Sequence, residues 1–230
     1  MKRIISMVIT VTVLFTGLCA FSGCTRKRNK VNILTDENKS NSAEKQLVNI
    51  AGENQQNGKV DIKSKDSYYF VLNGKKYTTE NKIKDIQNSG VVQDTKSTQA
   101  EIQKNTFYIG GAYFRAESNS RTVFSVVPVN NSEDSVECAE ASIGGFNVEN
   151  YYYKDYDGKI EVAGGISIGS SVDDLLNAYG DPTEKDMRAD YDNLGILYRY
   201  KVGLYQYFEF EIDKKEQKVI QITWRYFEGY

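Results

Sequence analysis

The sequence predicts an α+β fold, with short helices packed on antiparallel sheet in two repeated helix-then-sheet units. Three observations carry this expectation. Between Ser171 and Gly180, Val172, Leu175, Leu176 and Tyr179 recur at i, i+3, i+4 and i+7, the spacing of one helix face. Three runs near the C-terminus, 196–202, 204–213 and 218–227, alternate apolar and polar residues with the period of a strand. Finally, Ile83-Lys84-Asp85-Ile86-Gln87-Asn88 overlays Val172-Asp173-Asp174-Leu175-Leu176-Asn177 at a shift of 89 residues. Apolar, Asp, apolar and Asn positions then fall in step, which argues for an internal duplication.

In chain order, Met1-Lys2-Arg3 precedes an uncharged, mostly apolar run over 4–21, the basic and apolar regions of an export signal. Its 18 residues are barely enough to span a bilayer, so length alone leaves a permanent anchor open. The end of the run, Phe21-Ser22-Gly23-Cys24, resembles the lipobox of bacterial lipoproteins, in which small residues precede a cysteine that is lipidated and becomes the mature N-terminus. The resemblance assigns 1–23 to a signal peptide and lipidation to Cys24. It places the rest of the chain outside the cytoplasm, lipid-anchored to the cell membrane, where two acyl chains hold stably.

Residues 24–66 follow as a tether, rich in Asn, Lys, Gln, Ser and Glu and without an aromatic side chain. Such a segment buries too little apolar area to offset the entropy of ordering. Arg26, Lys27, Arg28 and Lys30 at its start suit anionic headgroups and equally suit simple solubility. From position 67 the composition changes: 15 of the 17 tyrosines lie beyond position 70, and the stretch carries 18 basic against 25 acidic residues. The first repeat is expected over 67–150. It comprises a hairpin at 68–77 turned by Asn73-Gly74, the short helix at 83–88, and strands at 107–116, 122–129 and 136–143. The second repeat occupies 151–230. Its helix is capped by Ser171, has Asp173 and Asp174 at its positive end, and stops at Gly180 before Pro182. The glycine pairs at 110–111, 144–145 and 164–165 mark bulges or close backbone approach.

Composition excludes several function classes. Histidine is absent, so there is no Ser-His-Asp or Cys-His nucleophile pair and no His-ligated metal. A net charge of −2 gives no bulk attraction to nucleic acid. Of three cysteines, one lies in the signal and Cys24 takes the lipid. Cys138 remains without an intramolecular partner, and its alternating context reads as a buried, inert strand residue. Asp155-Tyr156-Asp157-Gly158 lacks the acidic twelfth position of a calcium loop and reads as a turn. Ser42-Ala43-Glu44-Lys45 matches an acyl-enzyme spacing but sits in the tether, without rigid support. No cofactor, metal or catalytic residue is expected.

The stretch from Gly165-Ile166-Ser167-Ile168-Gly169-Ser170-Ser171-Val172 to Tyr179-Gly180-Asp181-Pro182-Thr183 resembles the opening of a known repeat. That repeat occurs in the small outer-membrane lipoproteins of the barrel-assembly machinery, in the β-lactamase-inhibitor protein and in many lipoproteins of Gram-positive bacteria. The resemblance implies a short helix on an antiparallel sheet and function by protein–protein contact. It carries across no catalytic residue, because the motif consists of capping and packing positions.

Strand parity separates two faces. Ile196, Tyr198, Tyr200, Phe208, Phe210, Ile212, Ile220, Ile222 and Trp224 share the expected core side. Arg199, Tyr205, Tyr207, Glu209, Glu211 and Arg225 fall on the other, and exposed aromatics beside Arg and Glu compose a recognition surface. A structural role for all the tyrosines stands beside this reading. The expected function is thus a lipid-anchored extracytoplasmic binding or scaffold protein, attached to the membrane through its N-terminal lipid and contacting a protein partner through these six residues. The alternative is a cell-envelope carbohydrate-active enzyme using paired carboxylates. The lipidation reading makes a direct prediction: Cys24→Ser abolishes incorporation of a clickable fatty acid and leaves the precursor mass unprocessed.

Overall fold

The computed structural model describes residues 59–87, 89–118, 121–187 and 195–228. The signal, Cys24 and the tether up to position 58 lie outside the described residues. The tether's last residues do not: Val60 and Ile62 are buried, the Val60 N–H donates to the Ala178 carbonyl at 3.0 Å, and 65–67 form a 3₁₀ turn. The folded body therefore begins before the aromatic-rich composition does.

Strands β1 (Tyr69–Leu72) and β2 (Lys75–Thr78) form the expected hairpin, with Asn73 and Gly74 at φ 50° and 85° in the turn. Then come β3 (Val91–Gln93), β4 (Glu101–Ile102), β5 (Thr106–Phe107), β6 (Ala112–Ala116), β7 (Thr122–Asn130), β8 (Val136–Glu137) and β9 (Ser142–Glu149). Helix α1 (Asn150–Tyr153), β10 (Ile160–Val162), α2 (Val172–Tyr179), β11 (Glu184–Met187), β12 (Gly195–Gly203), β13 (Gln206–Asp213) and β14 (Val219–Tyr226) complete the order. One nine-stranded antiparallel sheet runs β11-β12-β13-β14-β9-β7-β6-β3, with β5 on the end of β7. A three-stranded sheet, β10-β1-β2, and a two-stranded pair, β4-β8, accompany it.

This is a mainly β fold, and it corrects the α+β expectation of repeated helix-then-sheet units: the described residues are 47% strand and 16% helix. Ile83–Ile86 forms only a four-residue 3₁₀ turn where the first helix was expected. Nor are the halves separate, because β9 pairs directly with β14 and β1 pairs with β10. Shared apolar, Asp and Asn spacing encodes a capped turn as readily as a helix, and six residues do not distinguish them. α2 matches its prediction. Asp174 N–H donates to the Ser171 hydroxyl at 3.1 Å, Ser171 N–H donates back to the Asp174 carboxylate at 3.2 Å, and Gly180 (φ 73°) ends the helix. The Ser171 hydroxyl also donates to the Asp174 carboxylate at 2.6 Å, and this bond, together with that from the Ser171 N–H, holds the Asp174 carboxyl below its ordinary range.

The inner face of the large sheet is built in aromatic rows. Tyr200, Phe208, Trp224 and Phe146 stand opposite one another on adjacent strands, followed by Val126 and Ala112; Tyr198, Phe210, Ile222, Val148, Phe124 and Phe114 form the next row. Tyr68 and Phe70, at and beside the start of β1, lie across both. Phe70 meets Phe146 at 4.7 Å and Phe124 at 5.5 Å, while Tyr68 meets Phe208 at 4.7 Å and Trp224 at 6.0 Å. One position departs from the parity expectation. A bulge beside Ile212 brings Val219, not Ile220, opposite it, so Val219 is buried and Ile220 only half-buried.

Cys138 lies in a 3₁₀ turn rather than a strand, because 136–143 splits into β8, that turn and the start of β9. It is nonetheless 3% exposed, and burial pushes its thiol up to about 11. The thiolate fraction at pH 8 then falls about a hundredfold below that of an ordinary cysteine. Alkylation should be slower by about that factor in the native protein than in denaturant; equal rates would place Cys138 at the surface.

Candidate functional site

The outer face of the large sheet is polar, and its register aligns side chains from seven strands. Glu184 (β11), Arg199 (β12), Glu209 (β13), Thr223 (β14), Asn147 (β9), Ser125 (β7) and Tyr113 (β6) stand opposite one another in a single row. On one side of it runs the row Lys201, Tyr207, Arg225, Gly145 and Val127. On the other runs Asp186, Leu197, Glu211, Gln221 and Glu149. The alternation that buries Phe208, Phe210 and Trp224 on the inner side places these residues on the outer side, where Leu197, Thr223 and Val127 are themselves covered by their neighbours.

Most of this face is internally bonded. Arg199 donates from Nε to Glu209 at 2.6 Å and from Nη1 to Glu184 at 2.6 Å, with Asp186 at 3.8 Å. Asn147 accepts from Thr223 Oγ1 at 2.7 Å and from Gln221 Nε2 at 3.0 Å, and donates to Glu149 at 3.2 Å. Arg225 behaves differently. Its Nη1 donates to the main-chain carbonyls of Phe146 (3.0 Å) and Trp224 (2.9 Å), and among the described residues no carboxylate lies within ion-pair distance of it. Burial lowers its pKa, with Tyr207 and Glu209 opposing. Burial also raises the pKa of Tyr207, directly opposite it in the register.

A cleft of about 350 Å³ opens on this face, over the β7 and β9 end of the central row. Its floor includes Ser125, Asn147 and Arg225, with Tyr113 and Glu149 at the side; Ile109 and Tyr152 stand at its rim, 65% and 41% exposed. No group of three acidic or cysteine side chains among the described residues is placed to hold a metal ion. No helix among them is long and apolar enough to cross a membrane.

Of the six residues expected to form a recognition surface, five share this face. Arg199 and Glu209 are bonded to each other, Tyr207 and Arg225 are opposite one another, and Glu211 lies between Leu197 and Gln221. Tyr205 leaves the set. It precedes β13 and packs against Phe107 (5.2 Å) and Phe227 (5.3 Å) in a satellite cluster with Val127 and Val129. Asn147, Ser125, Tyr113 and Glu149 join the site unannounced, because nothing in the sequence gives the pairing of β14 with β9. Tyr151 and Tyr152 on α1 are an exposed pair in ring contact at 5.0 Å.

The two tyrosines therefore part company in a stability measurement. Tyr205→Ala should cost about 2 kcal/mol, lowering Tm by about 4–8 °C for a body of this size. Tyr207→Ala should lower it by less than about 3 °C. Equal losses would mean that both rings are packed cores.

The chain matches no protein-family model, no curated protein and no solved structure. The geometry of the polar face carries the functional argument alone.

Proposed function

We propose that this chain is a lipid-anchored extracytoplasmic binding or scaffold protein that contacts a protein partner through the polar face of its large sheet. The observation that carries the reading is the seven-strand row from Glu184 to Tyr113. Seven strands at about 4.8 Å spacing span about 29 Å, and strands of eight residues at about 3.4 Å run about 27 Å. The resulting face of about 800 Å² equals the share one partner contributes to a standard protein interface. Its side chains already hold one another through the Arg199 and Asn147 networks, so little rotamer freedom is left to lose on association. Arginine and tyrosine together supply the residue types that anchor interfaces. Lipidation at Cys24 supports the extracytoplasmic placement through the lipobox-like residues before it.

A photocrosslinking amino acid in place of Gln221, on the face, and in place of Lys215, in the exposed turn beyond it, tests the reading in native membranes. A defined protein adduct from position 221 and none from 215 is the expected outcome. Combining Tyr207→Ala with the first probe should reduce adduct yield in step with an affinity loss of about thirtyfold, the size of an anchor worth about 2 kcal/mol. Equal adducts from both positions, or glycan release by the purified ectodomain, would overturn it in favour of another surface or an enzyme.

A further inference from the structure

We propose that the cleft beside α1 receives a carboxylate side chain from an acidic peptide segment, with Arg225 as the group that binds it. The inference rests on the polar face being the binding surface and specifies its chemistry. The two arginines of that face are not equivalent. Arg199 is charge-neutralised, its Nε bonded to Glu209 and its Nη1 to Glu184. Arg225 is half-buried with one nitrogen on two carbonyl oxygens, while Nε and Nη2 have no acceptor among the described residues. Gly145 is what lets it lie there: a Cβ at that position would come within 2.7 Å of Arg225 Cδ and 2.9 Å of Nη1.

An ionised guanidinium held partly out of water without a counter-ion is a standing cost. A carboxylate entering the cleft removes it by forming charge-assisted, geometrically matched hydrogen bonds with the free side of the fork. The lowering of the Arg225 pKa by burial agrees with that state. Size and walls indicate the rest of the ligand. About 350 Å³ lies at the small end of ligand cavities, room for one or two side chains rather than a folded cofactor. Ile109 and Tyr152 offer apolar cover to the methylene stem of a Glu. Glu149 closes the far end, four residues along β9 from Gly145, or about 14 Å. It repels a second acid, so the cleft takes one carboxylate at the Arg225 end.

The test uses acetyl-Gly-Glu-Gly-amide, its Gln counterpart and glucuronate, titrated into the soluble ectodomain while the Arg225 side-chain N–H resonance is followed by NMR. The Glu peptide should shift that resonance saturably, with a Kd on the order of 1 mM, and the Gln peptide should bind at least about tenfold more weakly. Arg225→Gln should abolish the saturable response of the remaining cleft resonances, while Tm falls by no more than the loss of its two main-chain hydrogen bonds accounts for, since no counter-ion is lost. Arg225→Lys, which keeps the charge but loses the fork, should retain weaker binding. Equal affinity for the Gln peptide, tighter binding of glucuronate, or an unchanged response in Arg225→Gln would each overturn the proposal. Should the peptide fail while the position-221 crosslink persists, the polar face remains the binding surface and only the carboxylate assignment falls. Loss of both removes both.

Discussion

The contact on which the fold depends is the placement of Tyr68 and Phe70 across the aromatic inner face of the large sheet. Ring contacts run without a break from Phe114 through Phe124, Phe70, Phe146, Trp224, Tyr68 and Phe208 to Tyr179 and Phe210. A two-stranded hairpin is not stable alone in water, and a sheet with one apolar face must have it covered. Each supplies what the other lacks. The tyrosines in this core also bring a donor with them: Tyr68 OH donates to the Ile62 carbonyl, Tyr179 OH to that of Ala163, and Tyr200 OH to that of Gly180. Each bond ties a connecting segment to the core, and each ring buries area that Phe would bury equally without the tie. The surplus of tyrosine is thus in good part architectural.

A strand repeats every two residues, so fixing the inner face fixes the outer one. The aromatic rows and the polar rows are two readings of the same register. Local irregularities then adjust what the outer face presents. At Gly144 the β7–β9 register shifts, and a Cβ there would come within 2.1 Å of Val129. Its absence lets Val129 and Phe227 close the satellite cluster that takes Tyr205 out of the solvent-facing set. At Gly145, one residue on, the missing Cβ makes room for Arg225. One glycine pair therefore serves both the packing of the satellite cluster and the placement of Arg225 beside it.

What the sequence made legible followed from local chemistry. The cap and stop of α2, the Asn73-Gly74 hairpin, the three C-terminal strands and the burial of Cys138 each depend on residues close together in the chain. What it hid depends on long-range pairing. β14–β9 and β1–β10 merge the two halves into shared sheets, and no local pattern announces either. β11 escaped for a different reason: Glu184, Lys185 and Asp186 are polar and exposed, which is how an edge strand avoids pairing with strangers. Five of the six expected surface residues came from parity alone. Tyr205 failed because parity gives a side and not an exposure.

The folded body's first residues bear on how that surface is presented. Val60 and Ile62 enter the core beside α2, and Val60 Cγ2 lies against the site of Gly164, where φ is 77° and an added Cβ would also meet Ala178 at 2.8 Å. α2 packs through Tyr179 on Tyr200, Phe208 and Phe210, which belong to the inner face. The chain therefore joins the body behind the sheet, and the polar face is the opposite side. On the proposed reading, a surface for a partner and the point where the tether enters would weaken one another if they shared the same area. The register puts Val60 and Ile62 on the other side of the sheet from the polar rows. The residues that seat the chain, Val60, Ile62 and Gly164, share none of the contacts that organise Arg199, Asn147 and Arg225.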